Sequence, residues 1–205
     1  AGSTGSANGT GTSASFSGPR GITTDGTNLY VADLDNHLIR KIVISTGAVT
    51  TLAGTAGSYG SADNTTGTSA SFNNPWGITT DGTNLYVADM KNYTIRKIVI
   101  STGAVTTLAG TPGSLGNADN AIGTSASFNW PIGITTDGEN LYVTETHSIR
   151  KIVIDNGTVT TLAGSSSHGG AASIATGTSA RFKYPRGITT DGTNLYVVDN
   201  ANFRI

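Results

Sequence analysis

Cysteine is absent from this chain of 205 residues, and charged residues are scarce, at 12%. The absence of cysteine excludes disulfides, thiolate nucleophiles, zinc sites with cysteine ligands and covalently attached haem. Basic residues are not in excess, since 12 Lys and Arg stand against 13 Asp and Glu. Proteins that bind nucleic acid through its phosphates normally have such an excess, so we expect no nucleic-acid partner. No apolar run approaches the roughly 18 residues of a membrane-spanning helix, so we expect no membrane span.

The sequence motifs of common active sites are missing as well. No Gly-x-Ser-x-Gly elbow is present, and no glycine-rich segment follows a strand and opens a helix to cradle a phosphate. Only three histidines occur, at positions 37, 147 and 168, and none lies between 37 and 147 or after 168, so we expect no converging set that could hold catalytic zinc. We therefore predict no catalytic residue, no metal and no cofactor in this chain.

Glycine, by contrast, is abundant, and a repeat of about 56 residues runs through nearly the whole chain. A Phe-x-x-Pro-x-Gly-Ile motif begins at Phe16, Phe72, Phe128 and Phe182. The segment GITTDGTNLYVAD occurs unchanged at 21–33 and again at 77–89. A period of this size is typical of repeat architectures, in which each unit buries its apolar face against its neighbours.

Within one repeat, short runs of β-branched and apolar residues alternate with turn signals. The first repeat predicts strands over 21–24, 29–32, 39–44 and 48–53, with an Asp-Gly hairpin turn at Asp25. Asp33 is expected to fix the polar connection after the second strand, with Arg40 as its partner across the hairpin. The alternative is a metal site, because Asp33, Asp35 and Asn36 are rich in oxygen ligands. Four short antiparallel strands per repeat indicate an all-β propeller blade.

The residues of this connection carry a resemblance to a known family. Asn36-His37-Leu38 after a Leu-Tyr-Val-Ala-Asp strand resembles the NHL repeat, and the later copies keep the frame without the triplet. The resemblance implies a closed β-propeller, commonly of six four-stranded blades. This chain would then be a single propeller segment over residues 1–205, with three full blades and part of a fourth in an incomplete ring. The blades span approximately 16–55, 72–111, 128–165 and 182–205. We expect the open edge of the last blade to pair with another chain, so self-association is predicted.

The copies differ in two places, and these differences mark the candidate site. One is the start of each blade, just before the innermost strand, and the other is the connection after the second strand. Both are expected to open on the same face of a propeller. The aromatic and cationic side chains in these places suit a sugar, a carboxylate or a peptide. The candidate ligand-binding residues are Arg20, Trp76, Trp130, Tyr184, Arg186, Lys91 and His147. Packing between blades is the other explanation for the aromatic members.

Repetition without catalytic motifs predicts a non-catalytic binding or structural module for a protein or glycan ligand. The low charge and the many glycines and hydroxyl residues are typical of proteins outside the cell, so we expect an extracellular or cell-envelope location. The chain would be a fragment of a longer repeat protein. The alternative is part of a lyase-like or esterase-like propeller enzyme whose catalytic residues lie in other blades.

Overall fold

A computed structural model describes residues 3–165, 169–170 and 176–205, and the described part is all-β. The first repeat forms β1 (Gly9–Thr10), β2 (Pro19–Thr24), β3 (Asn28–Asp33), β4 (Leu38–Val43) and β5 (Ala48–Ala53). The second forms β6 (Pro75–Thr80), β7 (Asn84–Asp89), β8 (Thr94–Val99) and β9 (Val105–Ala109). The third forms β10 (Ile134–Thr136), β11 (Asn140–Thr144), β12 (Ser148–Val153) and β13 (Val159–Gly164), and the fourth forms β14 (Pro185–Thr190) and β15 (Leu195–Asp199).

Each repeat folds into its own antiparallel sheet, as the sequence predicts. The second and third sheets follow chain order, β6-β7-β8-β9 and β10-β11-β12-β13, and the fourth contains β14 and β15. The first sheet has a fifth strand that the sequence did not indicate, because the short β1 pairs with the outer strand β5. The innermost strand β2 begins at Pro19, two residues earlier than expected, and the polar connection contains a 3-10 turn over Leu34–Asn36. In the part of the chain that the structure describes, helical structure is limited to such three-residue turns.

The turn between the first two strands of each sheet is held by one aspartate. The Asp25 carboxylate accepts hydrogen bonds from the N–H groups of Thr27 (2.8 Å) and Asn28 (2.6 Å) and from the Tyr30 hydroxyl (2.7 Å). Burial works against ionisation, but the bonds from Asn28, Tyr30 and Thr27 lower the pKa of Asp25 well below its usual range. Burial and the Asp25 carboxylate raise the pKa of Tyr30 to about 12. The same turn recurs at Asp81, Asp137 and Asp191.

The chain divides into two compact units. One comprises Ala1–Asn92 with Arg96–Thr107, and the other comprises Tyr93–Ile95 with Leu108–Ile205. In the first unit, Tyr30 and Ile39 of the first sheet lie in one buried cluster with Phe72 and Leu85 of the second repeat. Alternation along the strands places these side chains between the two sheets, so the first and second sheets each bury one face against the other.

Candidate functional site

A buried carboxylate positions both variable segments of each repeat. In the first repeat, Asp33 accepts the N–H of Ser17 (2.7 Å) from the blade start and the amide of Asn36 (2.7 Å) from the connection. The N–H of Asp35 also donates to the Ser17 carbonyl (3.0 Å). The blade start and the connection are therefore joined side by side within the repeat.

An arginine completes this centre and ties it to the preceding loop. The Arg40 guanidinium contacts Asp33 at 3.1 Å, with both side chains fully buried, so the predicted pairing is confirmed. It also donates to the carbonyls of Ser15 and Ala7 (3.0 Å each) and lies 5.0 Å from the centre of the Phe16 ring. Removing one charge from such a centre would leave its partner buried and unpaired. Substitution of either residue should therefore destabilise the fold.

The same centre recurs in the second and third repeats with one instructive change. Asp89 and Arg96 form it in the second repeat, at 2.9 Å. In the third repeat the connection is two residues shorter and the acid is Glu145, whose longer side chain still reaches the Asn129 N–H (3.1 Å) and Arg150 (3.1 Å). Burial raises the pKa of Asp89 to about 6, and it also raises that of Glu145, against the opposing effect of the paired arginine in each case.

A β-bulge turns the residue after the proline out of the regular strand pattern. The register between β2 and β3 shifts between Pro19 and Ile22, and Arg20 lies within that shift. The same shift occurs between Pro75 and Ile78 in the second sheet, around Trp76. Arg20 is exposed and its guanidinium lies 4.6 Å from the centre of the Trp76 ring, a cation–π arrangement.

Backbone strain is concentrated in the same two segments. Six non-glycine residues of the described chain have a positive φ near 55°, and all of them lie at a blade start or in a connection. We call them the junction residues: His37, Asn74, Tyr93, Trp130, Tyr184 and Phe203. Asparagine tolerates this left-handed conformation, but for bulky side chains it is uncommon and costs about 1–3 kcal/mol each.

Five of the junction residues contact the neighbouring repeat in pairs, and in one pair the partner is His147, which is not itself a junction residue. The Asn74 N–H donates to Nδ1 of His37 (3.1 Å). Trp130 lies edge-on to Tyr93, with ring centres 5.5 Å apart, and Tyr184 packs on His147 at the same distance. Trp130 is 37% exposed and Tyr184 is 48% exposed, so each ring keeps part of its surface open to solvent.

The structure thus brings some candidate residues together and separates others into different units. Arg20 and Trp76 meet in the first unit, and His147 and Tyr184 meet in the second. Arg186 is exposed in the second unit, where its carbonyl accepts the Thr144 hydroxyl (3.0 Å).

Lys91 is exposed and lies in the first unit beside His37. Burial lowers the pKa of His37, and the positive charge of Lys91 adds to this, while Asp35 opposes it. The Lys91 N–H donates to the Asn73 carbonyl (3.0 Å), the same link that joins connection to blade start in the first repeat.

Sequence reasoning missed His37, Asn74 and Tyr93 as members of this surface. Each occupies the same repeat position as a residue that was chosen: Asn74 aligns with Trp130, and His37 and Tyr93 occupy the position of the third repeat's His147. Comparing equivalent positions across all repeats, instead of selecting aromatic and charged residues, would have found them.

Metal-binding geometry is not found in the described residues, where no three His, Asp or Glu side chains come close enough to hold an ion. Asp33, considered as a metal ligand from the sequence, instead accepts hydrogen bonds from the Asn36 amide and the Arg40 guanidinium. His168 lies outside the described residues. None of the helices in the described residues is long and apolar enough to cross a membrane.

Known proteins similar to this chain share its repeats and its fold. No protein-family model matches. NHL repeat-containing protein 2 of Bos taurus is 36% identical over 146 residues, which is 64% of this chain and 19% of that protein. The chain therefore spans about a fifth of the length of the curated relatives that it matches.

Two solved structures illustrate the likeness in fold. An auxiliary nutrient binding protein from Bacteroides ovatus superposes with a TM-score of 0.70 at 19% identity, over 93% of this chain and 48% of its own. A catalytically inactive virginiamycin B lyase from Staphylococcus aureus, with quinupristin, gives 0.56 at 20% identity, over 91% of this chain and 50% of its own. The likeness to NHL repeat-containing protein 2 confirms the resemblance to the NHL-repeat family seen in the sequence, and the likeness to the solved structures, together with the antiparallel sheets described above, shows a fold of the β-propeller type.

Proposed function

We propose that this chain is a non-catalytic binding module in which each unit takes a protein or glycan ligand on its own junction residues and the neighbouring bulge residues. The observation that carries the proposal is the placement of bulky side chains at positive φ in the two segments that vary between repeats. Strained backbone is retained where the surrounding structure holds it, and it clusters at binding sites. Here the buried acid–arginine centres hold it.

The chemistry of these residues suits sugars and peptides. Trp130 and Tyr184 offer partly exposed aromatic rings, on which the apolar face of a sugar or an aromatic side chain can stack. The exposed cations Lys91, Arg20 and Arg186 can bind carboxylates of an acidic glycan or peptide. Aromatic residues and arginine are also the residues that contribute most to protein interfaces.

An extracellular or cell-envelope location is part of this proposal. It is supported by the low fraction of charged residues, 12%, and by the fold shared with a bacterial nutrient binding protein. Fractionation of the native host, with detection by an antibody raised against the chain, tests it. Recovery in the cytosolic fraction alone would contradict it.

The binding proposal is tested by applying the fluorescently labelled chain to a glycan array and to an array of acidic and neutral peptides. The test variant is Trp130→Asn, which gives the third repeat the residue that the second has at Asn74. Binding to one array that is lost in the variant supports the proposal. Absence of binding to both arrays, or binding that the variant retains, contradicts it.

The enzymatic alternative is that a longer protein of lyase-like or esterase-like type contains this chain. The observation in its favour is the fold likeness to virginiamycin B lyase. Hydrolysis of a chromogenic ester or cleavage of quinupristin by the longer protein that contains this chain would support it, and the absence of both reactions in that protein favours the binding module. The predicted self-association through the open edge of the fourth sheet also remains a proposal, and that edge belongs to β15.

A further inference from the structure

A polar cavity of about 380 Å³ lies in the third repeat, within the second unit. Its volume is within the range of small-molecule sites. The side chains that line it come from the loop before the third sheet, from β12 and β13, and from the segments that follow. The polar members of this lining are Asn117, Asp119, Ser148, Thr161, Ser165 and Thr178. We call this space the hydroxyl cavity, because hydroxyl groups predominate among these side chains.

The hydroxyl cavity exists where the third repeat has a small residue and the first has leucine. Ser148 occupies the repeat position of Leu38. Leu38 is buried, and its Cδ2 lies 3.1 Å from the place that a Cβ on Gly54 would take. Gly164 is the equivalent of Gly54, and it lines the cavity. In the first repeat, therefore, a leucine side chain fills space beside the glycine that is open in the third.

The charged groups at the cavity are already paired. The Asp119 carboxylate accepts a bond from the Arg150 guanidinium (2.8 Å) and bonds from the N–H and hydroxyl of Thr161 (3.0 and 2.9 Å). The Ser148 hydroxyl donates to the buried Glu145 carboxylate (2.9 Å), which Arg150 also contacts at 3.1 Å. Since both carboxylates share the same arginine, neither a cation nor an anion would find an uncompensated charge here. A neutral ligand is therefore favoured.

The remaining hydrogen-bonding capacity of the lining suits a ligand with several hydroxyl groups. Ser148 and Thr161 direct their hydroxyl protons at carboxylates, so their oxygens can accept bonds from a ligand. Thr178 is exposed, and its hydroxyl can donate or accept. The Asn117 amide has both a donor and an acceptor. A polyol has hydroxyl groups that both donate and accept, so it matches this mixture.

We propose that the hydroxyl cavity binds a neutral polyol of the size of one monosaccharide unit. A few polar groups that converge on a cavity fix the orientation of a small ligand and provide specificity. This inference does not depend on the ligand proposed for the junction residues, because that surface offers aromatic rings and exposed cations. The lining of the hydroxyl cavity instead offers hydroxyls, an amide and a paired carboxylate.

The test is an NMR titration of the full isotope-labelled chain with small probes. The probes are D-glucose, D-galactose and D-mannose, each as the free sugar and as its methyl glycoside. Sodium acetate and methylammonium chloride serve as charged probes. We expect at least one sugar to cause saturable shifts at the backbone amides of Asn117, Ser148 and Thr161, and the charged probes to cause none there. Shifts with both forms of a sugar would assign the end of a glycan, and shifts with the free form alone would assign a free sugar.

Two variants exchange cavity residues for those of other repeats. Ser148→Leu introduces the residue of the first repeat and should abolish the saturable shifts. Asn117→Ser introduces the residue that the second repeat has at Ser61, and it should weaken binding roughly two- to tenfold, the effect of one lost hydrogen bond. Asn117→Ser decides the matter if Ser148→Leu does not fold, which the dispersion of the NMR spectrum reports.

Thr94→Leu is the matched control, because it makes the same kind of change at the equivalent position of the second repeat. The Thr94 hydroxyl is buried and has no hydrogen-bond partner within the described residues, so no bond is lost, and sugar binding should be unchanged. Absence of saturable shifts with every sugar would overturn the proposal. So would equal shifts of the same amides with acetate or methylammonium, or sugar binding that folded Ser148→Leu and Asn117→Ser both retain at full strength.

Discussion

The buried acid–arginine centres and the junction residues lie a few positions apart in each of the first three repeats, yet they differ in burial and in backbone strain. In the second repeat Asp89 and Arg96 are fully buried and keep the same bonding pattern as their equivalents. The junction position that is Asn74 in that repeat is Trp130 in the next and Tyr184 in the fourth. These two aromatic side chains are partly exposed and stand on strained backbone.

This contrast distinguishes the acid–arginine centres, which stabilise the blade, from the junction residues, which the blade exposes at its surface. A buried ion pair tolerates little change, because removal of one partner leaves an uncompensated charge. An exposed residue in a left-handed conformation can be exchanged at small cost, and asparagine at that position relieves strain. Substitutions in the two regions should therefore have very different effects on stability.

The largest effect is expected from Arg96→Met. The change removes the hydrogen bonds to Asp89, to the Ser71 carbonyl (2.9 Å) and to Asp63, and it leaves a buried carboxylate without its cation. We expect a loss of about 3–5 kcal/mol in the free energy of unfolding, measured by urea denaturation. Lys183→Met, at an exposed lysine, is the control and should change stability little. A loss no greater than that of the control would contradict the role given to the centre.

Acid should weaken the hairpin turns in a defined pH range. Hydrogen bonds from Asn140 and Tyr142 outweigh burial and lower the pKa of Asp137 from 3.8 to about 2. The unfolded chain therefore takes up this proton first, and stability falls as the pH drops from about 4 to 2. The pKa of Asp89 is instead raised to about 6, so the folded chain takes up this proton before the unfolded chain does. We therefore expect little loss of stability between pH 7 and 5. Urea midpoints across this range test the prediction, and Asp137→Asn should flatten the fall below pH 4.

The smallest effect is expected where the first centre differs from the others. Arg40 contacts the amide oxygen of Asn8 (3.0 Å), whereas Arg96 contacts the carboxylate of Asp63 (2.7 Å), which is 45% exposed. Asn8→Asp should raise the free energy of unfolding by about 0.2–1 kcal/mol, and Asp63→Asn should lower it by a similar amount. Both differences should shrink in high salt. If both variants changed the free energy of unfolding in the same direction, the proposed effect of a carboxylate beside the arginine would be refuted.

Much of the fold followed from the repeat itself. The Asp-Gly turn at Asp25 and the pairing of Asp33 with Arg40 were predictable, because an alternating strand pattern brings opposed residues together across a hairpin. The strand β1 was not predictable, since two residues of a Gly/Thr-rich loop have no strand pattern and pair only because the Arg40 centre holds the loop in place.

The candidate surface was predicted only in part. The bulge around Arg20 and Trp76 and the left-handed backbone at Trp130 were not predicted, because no local sequence pattern encodes them. Sequence variation between repeats indicated the right segments, but it did not show that consecutive repeats meet through pairs such as Tyr93 and Trp130.

The most direct test of the account compares the unfolding free energy of the double variant Trp130→Asn/Tyr184→Asn with that of Arg96→Met. Both junction substitutions introduce the residue that the second repeat already has at this position. If the junction residues are a presented surface, the double variant should stay within about 1 kcal/mol of the wild type. A loss as large as that of Arg96→Met would show that Trp130 and Tyr184 are packing residues and would contradict the proposed binding surface.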